Sequence, residues 1–88
     1  MAEKELKAAL DKLNGELQKL DPNDTESREM LRQLLASIQQ KLEEPANTEH
    51  HQDLLETLKE KATYFKAEHP VIGGALEDVI DILVKMGI

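Results

Sequence analysis

Two histidines stand side by side in the middle of the chain, with carboxylates on both sides. Glu49, His50, His51 and Asp53 place four potential metal ligands within little more than one helical turn. His50 and Asp53 are three residues apart and share one face of a helix, so they could hold an ion together. The spacing matches no established metal motif. We therefore favour a solvated helix start, with a metal or small-molecule site as the alternative.

The third histidine, His69, precedes a proline and has two potential uses. An imidazole can serve as a general base or as a pH-sensitive switch. At a junction between two helices it can instead cap a helix or pack its ring against Phe65 or Ile72. We favour this structural role. The following pair, Gly73-Gly74, lacks the strand and the further glycines of a phosphate loop, so it predicts close helix packing.

The remaining polar residues show no arrangement typical of catalysis. Adjacent carboxylates such as Glu77 and Asp78 point about 100° apart on a helix, so they cannot share a proton as a catalytic dyad does. Ser27 and Ser37 lie in a leucine-rich segment with no glycine elbow beside either. The sequence therefore predicts no catalytic residue and no cofactor, and we expect a protein that is not an enzyme.

Length and charge narrow the choice of partners. The chain has 88 residues, which predicts a single domain over residues 1–88. Its formal net charge of -7 makes nucleic acid and anionic membranes poor partners. There is no cysteine, and the N-terminus carries charges where a signal peptide needs an apolar run, so we expect a cytoplasmic protein. Charges in the second half of the last helix argue against membrane insertion.

Leucines spaced three and four residues apart indicate amphipathic helices along the whole chain. We predict an all-α fold in which three to four amphipathic helices form a bundle or a coiled-coil-like assembly. The helices are expected over about residues 3–20, 24–43, 48–68 and 70–86. Asn23 or Asp24 can cap the second helix. Asn47 or Thr48 can cap the third.

The boundary between the last two helices admits a second interpretation. Apolar residues keep a 4-3 spacing from Leu55 to Met86 across His69-Pro70, so one long kinked helix also fits. We favour a break, because the residue before a proline avoids helical angles and Gly73-Gly74 weakens the helix just beyond.

The end of the chain, Met86-Gly87-Ile88, predicts a Schellman stop. In that motif Gly87 adopts left-handed angles and donates its N–H to the carbonyl of Val84, while the Ile88 N–H reaches the carbonyl of Leu83. The Ile88 side chain would then fold back on the helix. The alternative is that the tail is a peptide recognised by a partner.

The last helix is apolar around most of its circumference and has one narrow polar stripe. Such a helix belongs in a core, which either other helices of the same chain or a second copy must supply. We expect self-association, most simply as a homodimer, with another protein as the alternative partner. The interface candidates lie on the first and last helices: Leu6, Leu10, Leu13, Leu17, Ile72, Leu76, Val79, Ile80, Leu83 and Met86.

The second half of the chain resembles a known family. Its landmarks are Leu58, Phe65, His69-Pro70, Leu76, Ile80, Leu83 and the ending Met86-Gly87-Ile88. This pattern is similar to family 4404 of the domains of unknown function, which are short bacterial proteins. The first two helices share only leucine spacing with it. The resemblance implies a small cytoplasmic helical protein and carries no catalytic or binding residue over to this chain.

Two classes of function follow from these observations. The first is a structural or protein-interaction module that self-associates. The alternative is a small-molecule or metal-binding protein that uses His50, His51 or His69.

Overall fold

The computed structural model describes residues 2–87 of the chain. These residues form four helices and no strand, which confirms the predicted all-α helical bundle. The helices are α1 (Ala2–Lys19), α2 (Thr25–Glu43), α3 (Thr48–Glu68) and α4 (Pro70–Met86). Every helix begins and ends within one residue of its predicted position.

The four helices pack as an up-and-down bundle. Each contacts the two beside it, so that α1 touches α2 and α4, and α3 touches the same two helices. Short connections make consecutive helices antiparallel. The α1–α2 loop and the α3–α4 junction therefore lie at one end, called here the His69 end, together with Asp24. The α2–α3 loop lies at the opposite end, called here the His51 end, together with Lys41.

The bundle core consists almost entirely of aliphatic side chains, as the leucine spacing predicted. Among the residues that the structure describes, Phe65 is the only buried phenyl or phenol ring, and it is fully enclosed. The aliphatic core residues are Leu6, Leu10, Leu13, Leu17, Leu20, Leu31, Leu34, Leu35, Ile38, Leu54, Leu58, Ala62, Ile72, Ala75, Leu76, Val79 and Leu83. Within residues 2–87, every helix falls short of the combined length and apolarity that a membrane crossing requires.

Polar side chains form hydrogen bonds with backbone groups at one end of each of the first three helices. The Asp24 Oδ1 atom accepts the Ser27 N–H at 3.2 Å and caps α2. Asn47 caps α3 in the same way, with its Oδ1 atom 3.0 Å from the His50 nitrogen. Of the capping residues that the sequence allowed, the structure therefore shows Asp24 for α2 and Asn47 for α3. The guanidinium of Arg28 donates to the Leu20 carbonyl at 3.2 Å, which satisfies an acceptor at the end of α1.

A single residue, His69, separates α3 from α4. Its backbone angles, φ -140° and ψ 81°, are not helical, and Pro70 occupies the first turn of α4. The predicted break is therefore confirmed. About one turn on either side of His69 the two helices nearly touch, because a Cβ added to Gly73 would lie 2.6 Å from the Lys66 Cα atom. Close packing is confirmed at this glycine, whereas Gly74 has open space around its Cα.

The end of α4 departs from the predicted Schellman stop. Gly87 has the expected positive φ, 57°, but its ψ of 150° is extended. Its N–H donates to the Leu83 carbonyl at 3.2 Å, so the predicted bond to Val84 was wrong. The N–H simply continues the ordinary i to i-4 ladder through the last turn. The predicted contacts of Ile88 lie outside the described residues.

Candidate functional site

The His69 end holds a polar cluster that joins three helices. The His69 Nε2 atom lies 3.1 Å from Asp24 Oδ2, while the other oxygen of Asp24 caps α2. The imidazole also packs near Phe65, with ring centroids 6.1 Å apart. This contact agrees with the predicted structural role of His69. The Ser27 N–H lowers the pKa of Asp24 below its ordinary 3.8, partial burial opposes the shift, and His69 adds to the lowering.

Ser27 belongs to the same cluster but cannot act as an exposed nucleophile. It is 0 % exposed, and its hydroxyl lies 3.2 Å from the Tyr64 hydroxyl. The bond connects the first turn of α2 to α3, next to the Asp24 cap. The cluster therefore connects α2 to α3 and to the α3–α4 junction through two hydrogen bonds. The partners of these bonds are 37 and 45 residues apart in sequence.

The His51 end has a different composition, which includes a buried lysine. Lys41 is only 1 % exposed, and its Nζ atom donates to the Pro45 carbonyl at 2.8 Å. Burial lowers the pKa of Lys41 from its ordinary 10.5, and the charge of Glu3 in α1 partly opposes this shift. Sequence reasoning missed this residue. The signal was present, because Lys41 continues the buried spacing of Leu34 and Ile38.

His51, in the first turn of α3 at the same end of the bundle, is also buried, with 5 % of its surface exposed. Its Nδ1 atom is buried and has no hydrogen-bond partner among residues 2–87. Burial lowers the pKa of His51 below its ordinary 6.5, and the charges of Lys41 and His50 lower it further. The expected solvated helix start is therefore wrong for His51.

The structure does not assemble the histidines and their neighbouring carboxylates into a metal site. The His50 ring donates from Nε2 to the Ser37 carbonyl at 2.9 Å. His51 points into the core, and His69 lies at the opposite end of the bundle. Within the described part of the chain, no group of three histidine, cysteine or carboxylate side chains is placed to hold a metal ion.

Most of the interface candidates lie in the core of the single chain. Eight are buried there: Leu6, Leu10, Leu13, Leu17, Ile72, Leu76, Val79 and Leu83. The other two, Ile80 and Met86, are partly buried. The eight core residues are covered by the same chain, because α1 and α3 pack against α4 and α2 packs against α1. They are therefore not available on the surface of the folded chain.

An open groove runs between the outer faces of α3 and α4. It has a volume of about 540 Å³. Its lining, which defines the α3–α4 groove, is Lys59, Ala62, Thr63, Lys66, Ala67, Glu77 and Ile80. The Lys66 Nζ atom and the Glu77 Oε2 atom lie 3.1 Å apart across one end of it.

The α4 side of the groove continues into exposed apolar surface. Val84 lies one turn beyond Ile80 on the same face of the helix, and it is 60 % exposed. The other large exposed apolar residue of the described chain is Val71, 61 % exposed, at the start of α4 and off this face. Sequence reasoning placed neither valine among the interface candidates.

The family model of a domain of unknown function, DUF4404, matches residues 6–88. The chain belongs to this family. The match covers all four helices except the first turn of α1, and it confirms the resemblance drawn from the sequence. Comparison with curated proteins and with solved structures finds no match for this DUF4404 chain.

The description of the DUF4404 family names no activity, so geometry must distinguish the candidate sites. The two histidine clusters lie at opposite ends of the bundle, and each consists mainly of side chains already engaged with their own chain. The α3–α4 groove is different. It is open to solvent, and it combines small and aliphatic side chains with lysines on a strongly acidic protein.

Proposed function

We propose that this DUF4404 chain is a protein-interaction module that self-associates through the α3–α4 groove. The observation that carries the proposal is the charge of the groove. Two lysines and one glutamate line it, whereas the chain as a whole has a formal net charge of -7. A contact between two copies of this groove therefore avoids bringing two acidic surfaces together, which the more acidic grooves would do.

Two other grooves on the described surface have the opposite balance of charge. The groove beside His69 is lined by Glu16, Lys19 and Glu68, which sum to one negative charge. The groove beside His50 is lined by Glu49 and Asp53 without a lysine or an arginine. Like charges across an interface suppress association. The acidic chain thus favours the α3–α4 groove as its contact surface.

The apolar part of this face supplies the attraction. Val84 exposes 60 % of its surface, and Ile80 is only partly buried. Removing these side chains from water is favourable by roughly 25 cal/mol for each Å² of apolar surface. The small residues Ala62 and Ala67 leave room in the groove for a side chain from the second copy.

A two-fold axis along the groove would place α3 of each copy over α4 of the other. Such an isologous contact is the commonest form of homodimer. It brings Lys59 on α3 close to the acidic edge of the partner's α4, formed by Glu77 and, one turn further on the same face, Asp81. The arrangement is therefore complementary in charge as well as in shape.

Two exposed valines give a matched test. Sedimentation equilibrium from micromolar to millimolar concentration should show the mass rising from one 9.9 kDa chain toward two. Val84→Lys should stay monomeric, because it places a hydrated charge at the contact. Val71→Lys, a control with nearly equal exposure in the same helix, should dimerise like the unsubstituted chain. A single-chain mass at every concentration, or equal behaviour of the two variants, would contradict the proposal.

A charge exchange tests the orientation of the two copies. Lys59→Glu should weaken the dimer, since the new carboxylate would face the acidic edge of α4. Adding Asp81→Lys to the same chain should restore association, because each copy then offers a lysine where the other has a glutamate. If the double variant is weaker than the single one, the two-fold arrangement is wrong.

A further inference from the structure

A second feature, separate from the α3–α4 groove, lies in the interior of the His51 end. Lys41 in the last turn of α2 and His51 in the first turn of α3 are 1 % and 5 % exposed, and the charge of Lys41 acts on the His51 ring. Neither forms an ion pair within residues 2–87. Buried lysines are rare unless they are paired. Among the described residues, the core of this end therefore contains one cation and one titratable ring with no neutralising partner in contact.

The surroundings of His51 contain charges from several helices. On its own helix, His50 repels a proton on the ring, and Lys41 of α2 does so more strongly. From α1, Glu3 acts on Lys41 and opposes part of its positive charge. From α4, Lys85 reaches this end of the bundle and lines a groove with Glu3. The nearest groups thus favour a neutral imidazole.

Hydrogen bonding points the same way. The Nδ1 atom of His51 is buried and has no partner among residues 2–87. In a neutral ring this atom can remain an unprotonated acceptor. In a charged ring both nitrogens carry a proton, so Nδ1 becomes a donor without an acceptor. A buried, unsatisfied donor on a charged ring is strongly unfavourable.

We propose that His51 and Lys41 form an acid-sensitive switch that loosens the His51 end of the bundle. Protonation of the ring places a second positive charge beside Lys41 where little water can screen it. The chain relieves this repulsion when the first turns of α3 move away from α2 and hydrate the ring. All residues of the switch belong to one chain, so the switch is independent of self-association.

The direction of the pH effect follows from proton linkage. Burial lowers the pKa of His51, so the folded chain takes up this proton at lower pH than the unfolded chain does. As pH falls below the ordinary value of 6.5, the unfolded chain binds more protons and stability decreases until the folded pKa is reached. In that window the unfolding equilibrium constant should rise by up to about tenfold per pH unit.

Urea unfolding at fixed protein concentration tests the switch. Between about pH 7.5 and about pH 5.5, the midpoint for the unsubstituted chain should fall. His51→Leu should remove most of this dependence, while the control His50→Gln, at the neighbouring half-buried residue, should keep it. The proposal is overturned if His51→Leu shows the same dependence on pH as the unsubstituted chain.

Nuclear magnetic resonance titration of the His51 ring in the unsubstituted chain gives a second readout that needs no substitution. In the unsubstituted chain the ring should titrate below 6.5, the ordinary value for histidine. In Lys41→Met, which removes the neighbouring charge, its midpoint should move upward. A His51 ring that titrates at its ordinary value in the unsubstituted chain would overturn the proposal.

Discussion

The two ends of the bundle place a histidine in opposite electrostatic surroundings. At the His69 end the imidazole lies 3.1 Å from the Asp24 carboxylate, and both side chains are about one third exposed, 30 % and 31 %. At the His51 end the ring is buried beside Lys41, with its Nδ1 atom unpartnered among the described residues. A proton on His69 creates an ion pair, whereas a proton on His51 creates a repulsion. The neighbours, and not the residue type, decide how each end responds to acid.

The two ends should therefore lose stability in different ranges of pH. Loosening at the His51 end begins as pH falls below about 6.5, the ordinary pKa of histidine. At the His69 end the charged Asp24 carboxylate is favoured by folding, because the Ser27 N–H lowers its pKa below 3.8. That contribution is present above 3.8 and is lost only as pH falls through the lowered pKa. Acid should loosen the His51 end first.

The largest effect is expected when the buried cation is removed. Lys41→Met keeps a long side chain in the core and should raise the free energy of unfolding at neutral pH by about 1–4 kcal/mol, as seen when buried charges are replaced by apolar residues. The exposed carbonyl of Pro45 can bond to water instead. Thermal or urea denaturation measures the change. The two ends of the bundle should then differ less in their response to acid.

Lys12→Met, on the exposed surface of α1, is the matched control for this change. Substitutions at such surface positions usually alter stability by less than about 0.5 kcal/mol. A loss of stability in Lys41→Met would show that the lysine stabilises the His51 end through its bond to Pro45.

A smaller effect is expected from packing near the His69 end. Gly73→Ala adds a Cβ only 2.6 Å from the Lys66 Cα atom, so the two helices must separate. Overpacking of this kind costs about 1–3 kcal/mol. Gly74→Ala has open space and should instead stabilise α4 by up to about 1 kcal/mol. If denaturation gives both variants the same stability, α3 and α4 do not pack as closely as described.

The smallest effect is expected from Asp24→Asn. Asparagine is as good an N-cap as aspartate, so stability at neutral pH should change little. The charge is lost, however, and with it the contribution that disappears in strong acid. Stability measured as a function of pH should thus decrease less steeply below pH 3.8 than in the unsubstituted chain. If stability below pH 3.8 decreases as steeply as in the unsubstituted chain, the charged Asp24 carboxylate is not stabilised by folding.

The sequence was sufficient to predict the secondary structure because local rules govern it. Leucine spacing located the helices, Asp24 and Asn47 are capping residues, and His69-Pro70 marked the break between α3 and α4. In each case the signal lies within a few neighbouring residues. The bond from Asp24 to His69 could not be predicted in this way, because 45 residues separate its partners.

Burial was harder to predict than helix position. A core stripe and an interface stripe have the same leucine spacing, so Leu6 or Leu83 could belong to either until the packing of the other helices was known. Lys41 and His51 were missed because charged and polar residues are normally exposed. Both residues nevertheless continue the spacing of the buried side chains along their helices. The α3–α4 groove depends on two helices and has no signature in either alone.

Amide hydrogen exchange at two pH values tests the contrast between the ends most directly. After correction for intrinsic exchange rates, protection at pH about 5.5 should fall, relative to pH about 7.5, in the last turns of α2 and the first turns of α3. Protection in the first turns of α2 and the last turns of α3, at the His69 end, should be retained. Equal loss at both ends, or loss confined to the His69 end, would contradict this account.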